Sequence, residues 1–357
     1  MKSAICFVES PLQLLCLDEF VKFGNVERLK VIVRSNPSRP NNERQLRKLL
    51  GDKLVLSNVP ELSCVFIYNR ETVFSIIPDY HTYRCSLAKE IATIWDYAVI
   101  GDLRIPWMRR YSQSSQYNSL ICLDDGMASF LIRDEIINSD NLNYRKQPDK
   151  KSIRATVRGM CIAIVEGACS LGYRKRIEIK DLILYSSFID PSEVDVQVEK
   201  NDFSSIRKSN KKKSKVQEAW YYGSPLSERA IVSVYHELEL LLAAKSFYKD
   251  RGLDTLYFAH RDDSEDKLKA IRELGLNIVK SEIPAELFIA QSEKIPIAIA
   301  ASGSSVFFTL NKILDDIKYT NFCFDPEKID LSHREHRARI DKSIKDKLDV
   351  AKVLPVQ

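Results

Sequence analysis

The strongest constraint on this chain of 357 residues is a repeated alternation of short apolar runs with longer amphipathic segments. Near the start, Ala4 to Val8 predicts a buried strand and Glu9-Ser10-Pro11 a turn. Leu12 to Phe23 then predicts a helix that ends at Gly24-Asn25. Strands that alternate with helices build βαβ units, so the sequence predicts a parallel sheet.

The same alternation continues through both halves of the chain. In the first half it predicts one more helix and four more strands, at Asn41 to Leu50, and at Leu29 to Arg34, Cys64 to Tyr68, Tyr97 to Ile100 and Ser119 to Leu123. In the second half it predicts two helices and five strands, at Ser227 to Tyr248 and Asp266 to Leu274, and at Ala219 to Tyr222, Leu256 to Ala259, Asn277 to Ser281, Ile297 to Ala300 and Asn321 to Phe324. We therefore predict an α/β protein with two doubly wound, Rossmann-like sheets that face a central cleft, where ligands bind at the carboxyl ends of strands.

A shift in composition marks the expected boundary between the two domains. Between Asn201 and Lys215 the chain is basic and almost free of apolar residues, which is typical of a linker. The predicted organisation is a first domain at 1–200, a linker at 201–216, a second domain at 217–330 and a charged C-terminal helix at 331–357. A polar loop is expected at Ser139 to Lys151.

The net charge of +5 is compatible with anionic substrates or with a peripheral contact at an anionic inner membrane. The lysine-rich run from Lys208 to Lys215 lacks interleaved aromatic residues, so no nucleic-acid partner is expected. Glu9 and Pro11 interrupt the apolar N-terminus, and no apolar run approaches 18 residues. With eight scattered cysteines and no C-x-x-C pair, the expected location is the cytoplasm.

The first motif that can carry chemistry is Asp124-Asp125-Gly126, at the end of a predicted strand. Two carboxylates this close raise the pKa of one of them, which suits a proton acceptor near neutral pH. An Asx turn or a helix N-cap explains the same residues. A magnesium site would need more ligands than these two carboxylates, so no metal site is predicted.

The other two motifs follow strands in the second half. His260-Arg261 could bind a phosphate and donate a proton to it, and is also compatible with a surface histidine near a helix start. Ser302-Gly303-Ser304-Ser305 precedes an apolar helix, so its backbone N–H groups form a candidate anion site, with a plain serine N-cap as the alternative.

In this order, the three motifs resemble those of bacterial sialyltransferases of the GT-B type, which carry an acidic-acidic-Gly motif, a His-Pro motif and a Ser-Ser motif. The segments FVESPLQLL and YYGSPLSE resemble those enzymes too. The resemblance covers most of the chain, and its specificity lies in the order and spacing of short motifs. Arg261 stands where the family usually has proline.

The resemblance implies a role for each candidate residue. An acidic residue of the first motif is the base that deprotonates the acceptor hydroxyl, with Asp124 as first choice and Asp125 as second. His260 contacts the phosphate of CMP and assists its departure, and Ser304 and Ser305 bind the same phosphate. Glu286 resembles the acidic residue that holds the ribose. Arg261 could add a contact to phosphate or to a sugar carboxylate.

The implied activity is an inverting, metal-independent transfer of sialic acid, or a related nonulosonic acid, from a CMP-activated donor to a surface glycan. Capsule, O-antigen and lipooligosaccharide acceptors all fit. No cofactor is expected beyond the CMP-sugar co-substrate. Alternatives are transfer of Kdo, pseudaminic or legionaminic acid, and a non-catalytic protein that binds a nucleotide or a glycan.

Overall fold

The computed structural model describes residues 1–35, 39–68, 93–138, 181–210 and 213–353. The chain divides into two compact units, Met1–Asn201 and Asp202–Gln357. The polar loop predicted at Ser139 to Lys151 lies outside the described residues. Each unit is built on its own parallel sheet, so the prediction of two parallel α/β sheets is confirmed.

The sheet of the first unit has seven described strands in the order β3-β2-β1-β4-β5-β6-β7. These strands are β1 Lys2–Val8, β2 Val26–Ser35, β3 Glu61–Tyr68, β4 Ile94–Ile100, β5 Gln116–Leu123, β6 Leu182–Ser186 and β7 Gln197–Lys200. The described helices are α1 Pro11–Gly24, α2 Pro40–Gly51, α3 Pro106–Ser114 and α4 Ala128–Ile132, which runs on as a π-helix over Arg133–Ile137, and a 3₁₀ turn at Pro191–Glu193.

Local sequence explains how the first strand passes into the first helix. The last five residues of β1 are buried, as expected for a strand in the middle of a parallel sheet. Ser10 then caps α1, because its hydroxyl accepts from Gln13 N and the Gln13 side chain accepts from the Ser10 backbone. The helix ends at Asn25, whose φ of 51° is left-handed. This turn fixes Glu9 and Ser10 at the carboxyl end of β1.

The sheet of the second unit has the order β10-β9-β8-β11-β12-β13. Its strands are β8 Ser214–Tyr222, β9 Asp254–Ala259, β10 Asn277–Lys280, β11 Lys294–Ala301, β12 Lys318–Phe322 and β13 Ala351–Val353. The described helices are α5 Ser204–Asn210, α6 Val234–Lys249, α7 Glu265–Glu273, α8 Ala285–Gln291, α9 Val306–Ile313 and α10 Arg334–Lys347, with a 3₁₀ turn at Pro326–Lys328.

The segment predicted as a linker at 201–216 differs from that expectation. It contains α5 and the start of β8, and α5 packs against α8 and α9. Phe203 and Ile206 are buried there. These two apolar side chains pack into the second unit, although the residues around them are mostly polar and basic. The lysine-rich run therefore flanks a structured helix.

Two helices also differ from their predicted bounds. The helix expected from Ser227 begins at Val234, because Ser233 provides the cap and Ile231 N donates to Leu226 O in the preceding turn. The charged C-terminal segment forms α10, but its last part adds β13 to the sheet beside β12. Within the described residues, none of the helices has the length and apolar content needed to cross a membrane.

Candidate functional site

In each sheet the strand order reverses between two neighbouring strands. Ligands of doubly wound folds bind beyond the carboxyl ends of the strands at this point. In the first unit these strands are β1 and β4. Glu9 and Ser10 follow β1, and Asp102 follows β4. The predicted acidic motif follows β5, which lies next to β4.

Asp124 is the more deeply placed of the two motif carboxylates, with 1% of its surface exposed. Its Oδ1 accepts from Ser129 Oγ at 2.9 Å and Ser186 Oγ at 2.5 Å. Its Oδ2 accepts from Ser187 N at 2.6 Å and Ser187 Oγ at 3.1 Å. Burial raises the pKa of Asp124 to about 6, and these four donors oppose that rise. Asp124 thus ties the end of β5 to the end of β6.

Asp125 is half-buried and makes fewer contacts. Its Oδ1 accepts from Ser10 Oγ at 2.8 Å, and its backbone N–H donates to Ser129 Oγ at 3.3 Å. Gly126 follows with a φ of 65°, a left-handed conformation that favours glycine. The motif therefore holds one carboxylate inside the fold and leaves the next one accessible.

Two further acidic side chains surround Asp125. Burial is the largest cause that raises the pKa of Asp125 to about 6, and the negative charges of Asp102 and Glu9 add to it. Arg104 binds both carboxylate oxygens of Asp102, from Nε to Oδ1 and from Nη2 to Oδ2, and its charge lowers the pKa of Asp125. Trp107 Nε1 donates to Glu9 Oε2 at 2.9 Å. Asp125 is thus a carboxyl group that changes charge close to physiological pH, which is the property needed in a general base.

In the second unit, His260 follows β9 and is fixed by hydrogen bonds of its own turn. Its backbone N–H donates to Asp263 Oδ2 at 2.8 Å, and its carbonyl accepts from Asp263 N. Asp262 N donates to His260 Nδ1 at 3.1 Å. Because Nδ1 accepts a hydrogen bond, the proton of the neutral ring lies on Nε2.

The charge state of His260 depends on burial and on the cations around it. Burial lowers the pKa of His260 to about 3, and the positive charges of Arg261, Arg229 and Lys267 lower it further. The imidazole is therefore neutral at pH 7. With 25% of its side chain exposed, it can offer Nε2–H to an anion as a hydrogen-bond donor.

Arg261 and Glu286 lie close enough to interact electrostatically. Burial raises the pKa of Glu286, and Arg261 opposes that rise. Glu286 stands in the first turn of α8, where Thr309 Oγ1 on α9 donates to its Oε1 at 2.6 Å. The structure thus links the His260-Arg261 turn, through Glu286, to the helix that follows the serine motif.

Ser302 and Gly303 occupy buried structural positions at the end of β11. Arg337 on α10, itself 4% exposed, donates from Nη2 to Ser302 Oγ at 2.7 Å and from Nη1 to Ser302 O at 3.3 Å. Gly303 has a φ of 53°, and a Cβ there would lie 2.5 Å from Arg337 Nη1. Gly303 N donates to Asn321 Oδ1 at 2.8 Å. Arg337 and Asn321 therefore fix the shape of this turn.

Ser304 and Ser305 are half-buried at the start of α9. Val306 N donates to Ser304 Oγ at 3.4 Å, and Phe308 N donates to Ser305 O. The N-terminal end of a helix carries partial positive charge. The two serines and this helix end form a polar surface suited to an anion.

Three groups that shape these sites were not predicted from the sequence: Ser10, Arg337 and Lys267. Ser10 lies within the segment FVESPLQLL, and Lys267 contacts the segment YYGSPLSE. Arg337 lies in a charged stretch whose pattern gives no sign that one arginine is buried. In the part of the chain that the structure describes, no cluster of three or more His, Cys, Asp or Glu side chains has the arrangement of a metal site.

No protein-family model matches the sequence, and no curated protein matches it. Among solved structures, the chain is similar to an alpha/beta-galactoside alpha-2,3-sialyltransferase from the luminous marine bacterium Photobacterium phosphoreum, at 14% identity and a TM-score of 0.48, over 98% of both chains. The E. coli heptosyltransferase WaaC with ADP has 9% identity and a TM-score of 0.40, over 90% of this chain and 86% of that one. UGT89C1 of Arabidopsis thaliana complexed with UDP has 8% identity and a TM-score of 0.46, over 100% of this chain and 86% of that one. All three TM-scores lie below 0.5.

Proposed function

We propose that the protein is an inverting, metal-independent glycosyltransferase of the GT-B type. It transfers sialic acid or a related nonulosonic acid from a CMP-activated donor to a glycan acceptor. The second unit binds the nucleotide half of the donor, and the first unit supplies the base that activates the acceptor hydroxyl. We expect it to act in the cytoplasm, with a peripheral membrane contact where the acceptor is lipid-linked.

The observation that carries this proposal is the position of Glu286. It accepts a hydrogen bond from Thr309 in the helix that Ser304 and Ser305 begin, and it interacts electrostatically with Arg261. Glu286, the carboxyl group that we assign to the ribose hydroxyls, interacts with two segments suited to a phosphate. A nucleoside monophosphate needs this combination of one acceptor site and one anion site.

The choice of base is supported by the contrast within the acidic motif. Asp124 was the first choice from the sequence, but its two oxygens accept four hydrogen bonds and it is buried. Asp125 accepts a hydrogen bond from Ser10 and is more accessible. We therefore propose Asp125 as the catalytic base and Asp124 as a residue that holds the motif in place.

In the proposed reaction, Asp125 removes the proton of an acceptor hydroxyl, and the oxygen attacks the anomeric carbon of the donor. The bond between that carbon and the phosphate oxygen of CMP breaks, and CMP leaves with the bonding electrons. A single displacement from the opposite face inverts the anomeric configuration. His260 Nε2–H, the Arg261 guanidinium and the N-terminal end of α9 stabilise the negative charge that develops on the leaving phosphate.

His260 has a more limited role here than acid catalysis. Because its imidazole is neutral with the proton on Nε2, it stabilises the leaving group as a hydrogen-bond donor. CMP is already a good leaving group, and no proton has to reach it for the bond to break. Arg261 supplies the positive charge at this end of the site.

The proposed donor-site residues of the second unit would bind the CMP part of the donor. They therefore do not discriminate between sialic acid, Kdo, pseudaminic acid and legionaminic acid as the transferred sugar. Binding CMP alone would not require a partly exposed carboxyl group such as Asp125 in the other unit. Asp125 therefore favours the transferase over the binding protein.

The test is a transfer assay with each CMP-activated acidic sugar and an oligosaccharide acceptor, with and without EDTA. We expect transfer from at least one donor, inversion at the anomeric carbon seen by NMR, and no loss of rate when metal ions are chelated. Binding of CMP without transfer or hydrolysis of any donor would favour the non-catalytic alternative. Retention of configuration, or loss of activity with EDTA, would contradict the proposed mechanism.

A further inference from the structure

The second unit contains a buried lysine that is enclosed by carboxylates. The side chain of Lys267 on α7 is 1% exposed. Its Nζ donates to Glu237 Oε1 at 2.5 Å, Asp263 Oδ1 at 2.9 Å and Glu228 Oε2 at 3.3 Å. It also donates to Ser224 O at 2.9 Å. A buried ammonium needs such partners to remain charged.

One of these carboxylates connects the lysine to the candidate site. Asp263 accepts from Lys267 on Oδ1. On Oδ2 it accepts from His260 N at 2.8 Å and from Tyr257 OH at 2.9 Å. The path from the ammonium to the His260 backbone therefore has a single residue between its ends, and every contact in it has hydrogen-bond geometry.

Two of the other partners of Lys267 lie in the segment YYGSPLSE, and Glu237 lies on α6. Ser224 and Glu228 of this segment contact Lys267 directly. Ser227 contacts it indirectly, because its hydroxyl donates to Glu237 Oε2 at 2.7 Å. A Cβ on Gly223 would lie 2.2 Å from Tyr257 OH, so glycine gives the Tyr257–Asp263 pair its space. Four residues of this segment therefore shape the surroundings of Lys267 and Asp263.

Other charged groups also face His260. Arg261 and Arg229 contribute positive charge, and Asp262 Oδ2 lies 3.9 Å from His260 Nδ1. Arg229 and Asp262 are themselves 3.9 Å apart. Lys267 differs from these groups because it contacts the carboxylate that holds the turn, whereas each of the others has a partly exposed side chain.

We propose that Lys267 is a positioning residue that acts through Asp263 to hold the turn at residues 260–263 and so orient the His260 imidazole. The value of that orientation for catalysis rests on the proposed function. The orientation itself is a property of the unliganded protein. Lys267 places a cation 2.9 Å from the Asp263 carboxylate inside the fold, so that Asp263 binds the His260 N–H and keeps Asp262 N against Nδ1. The imidazole then offers Nε2–H as its one donor.

The test compares Lys267→Met with Lys245→Met in the full chain. Lys245 is the matched control because its Nζ also donates to backbone carbonyls of this unit, at Leu274 and Gly275, without a contact to the His260 turn. ¹⁵N NMR of the histidine side chains at pH 7.5 reports the tautomer of His260, whose signal is assigned with His260→Gln. Hydrolysis of the CMP-activated donor is measured in parallel.

We expect a single Nε2–H tautomer for His260 in the wild type and in Lys245→Met. In Lys267→Met we expect a mixture of tautomers and a fall in donor hydrolysis of roughly tenfold to hundredfold. An unchanged tautomer together with unchanged hydrolysis in Lys267→Met would overturn the proposal. If Lys267→Met keeps the single Nε2–H tautomer of His260 but hydrolyses the donor more slowly, the proposal is also overturned, because the lysine would then act without orienting the imidazole.

The loss of a buried cation beside three carboxylates destabilises the fold, so a compensated variant is required. Lys267→Met combined with Glu237→Gln removes one charge of each sign, and thermal unfolding checks that it folds. The same change of tautomer is expected, and a pure Nε2–H tautomer in this variant would overturn the proposal. If the wild type neither binds CMP nor hydrolyses any donor, the proposed function fails, while the tautomer still tests the role of Lys267.

Discussion

The two units share a Ser-Pro-Leu turn after a strand, but the serine of each turn contacts a group of opposite charge. In the first unit, β1 leads into Ser10-Pro11-Leu12, and the Ser10 hydroxyl donates to the Asp125 carboxylate. In the second unit, β8 leads into Ser224-Pro225-Leu226, and the Ser224 carbonyl accepts from the Lys267 ammonium. One type of turn therefore supports a carboxyl group in the first unit and a cation in the second.

The two units also shift the pKa of their candidate residue in opposite directions. Burial raises the pKa of Asp125 in the first unit, and nearby carboxylates add to that rise. Burial lowers the pKa of His260 in the second unit, and nearby cations lower it further. Each shift is in the direction that the proposed role requires, since a base must take up a proton and a neutral donor must not carry a second one. The comparison teaches that similar α/β frames differ in chemistry through the few charges around their strand ends.

The largest expected effect comes from Asp125→Asn. We expect transfer to fall by about 10²- to 10⁴-fold, because the amide cannot accept the acceptor proton. The affinity for CMP, measured by calorimetry, should be unchanged, since Asp125 belongs to the first unit.

Asp124→Asn is the matched control for that variant. It places an amide NH₂ among the donors of Ser186 and Ser187, so the free energy of unfolding should fall by about 1–3 kcal/mol. If Asp124→Asn abolishes transfer without loss of stability while Asp125→Asn remains active, the assignment of the base is wrong.

His260→Ala tests the second half of the comparison. It removes a hydrogen bond to an anion, so CMP affinity should fall by about tenfold to hundredfold. His260→Gln should keep part of that affinity because its amide still donates. His336→Gln, which alters an exposed histidine in α10, should bind CMP as the wild type does. Equal CMP binding by His260→Ala and the wild type would contradict a phosphate contact.

A smaller effect is expected when the serine turn is distorted. In Gly303→Ala the new Cβ would overlap the Arg337 guanidinium, so the turn has to shift and CMP affinity should fall by about tenfold. Gly252→Ala is the control, because Gly252 also has a positive φ but has open space around it. If both variants lose the same affinity, backbone strain accounts for the effect and the contact with Arg337 does not.

The smallest effect is a change in the pH profile. The negative charge of Glu9 raises the pKa of Asp125, so Glu9→Gln should lower it. Asp125 would then stay ionised at lower pH, and the acidic limb of kcat/KM should move down by about half a pH unit. Glu61→Gln removes an exposed carboxylate at the start of β3 and should leave the limb in place. A shift to higher pH with Glu9→Gln would contradict the arrangement of charges around Asp125.

The sequence predicts the central strands well because they are buried runs of apolar residues. Polar or short strands escape this signal, as β7 shows with its sequence QVEK. The strand β6 was also missed, although Leu182–Ser186 is mostly apolar and buried. The helix α5 was hidden by the basic residues around it, because only Phe203 and Ile206 mark its buried face.

The candidate residues were found because they follow predicted strands. Their contacts depend on residues distant in the chain and cannot be read from local pattern. Asp124 and Asp125 are adjacent in sequence, yet only Asp124 accepts hydrogen bonds from Ser186 and Ser187, about sixty residues further along the chain. Arg337 lies 34 residues from Gly303 in a stretch that resembles any charged helix surface. The sequence therefore locates the strand ends, and packing decides what each side chain does there.

The most direct test of the central claim is calorimetric titration of the wild type, Asp125→Asn and Gly303→Ala with CMP, beside UMP, GMP and ADP. The account predicts that the wild type and Asp125→Asn bind CMP selectively with equal affinity, and that Gly303→Ala binds it more weakly. Preference for another nucleotide, or loss of CMP binding in Asp125→Asn but not in Gly303→Ala, would contradict the division of roles between the two units.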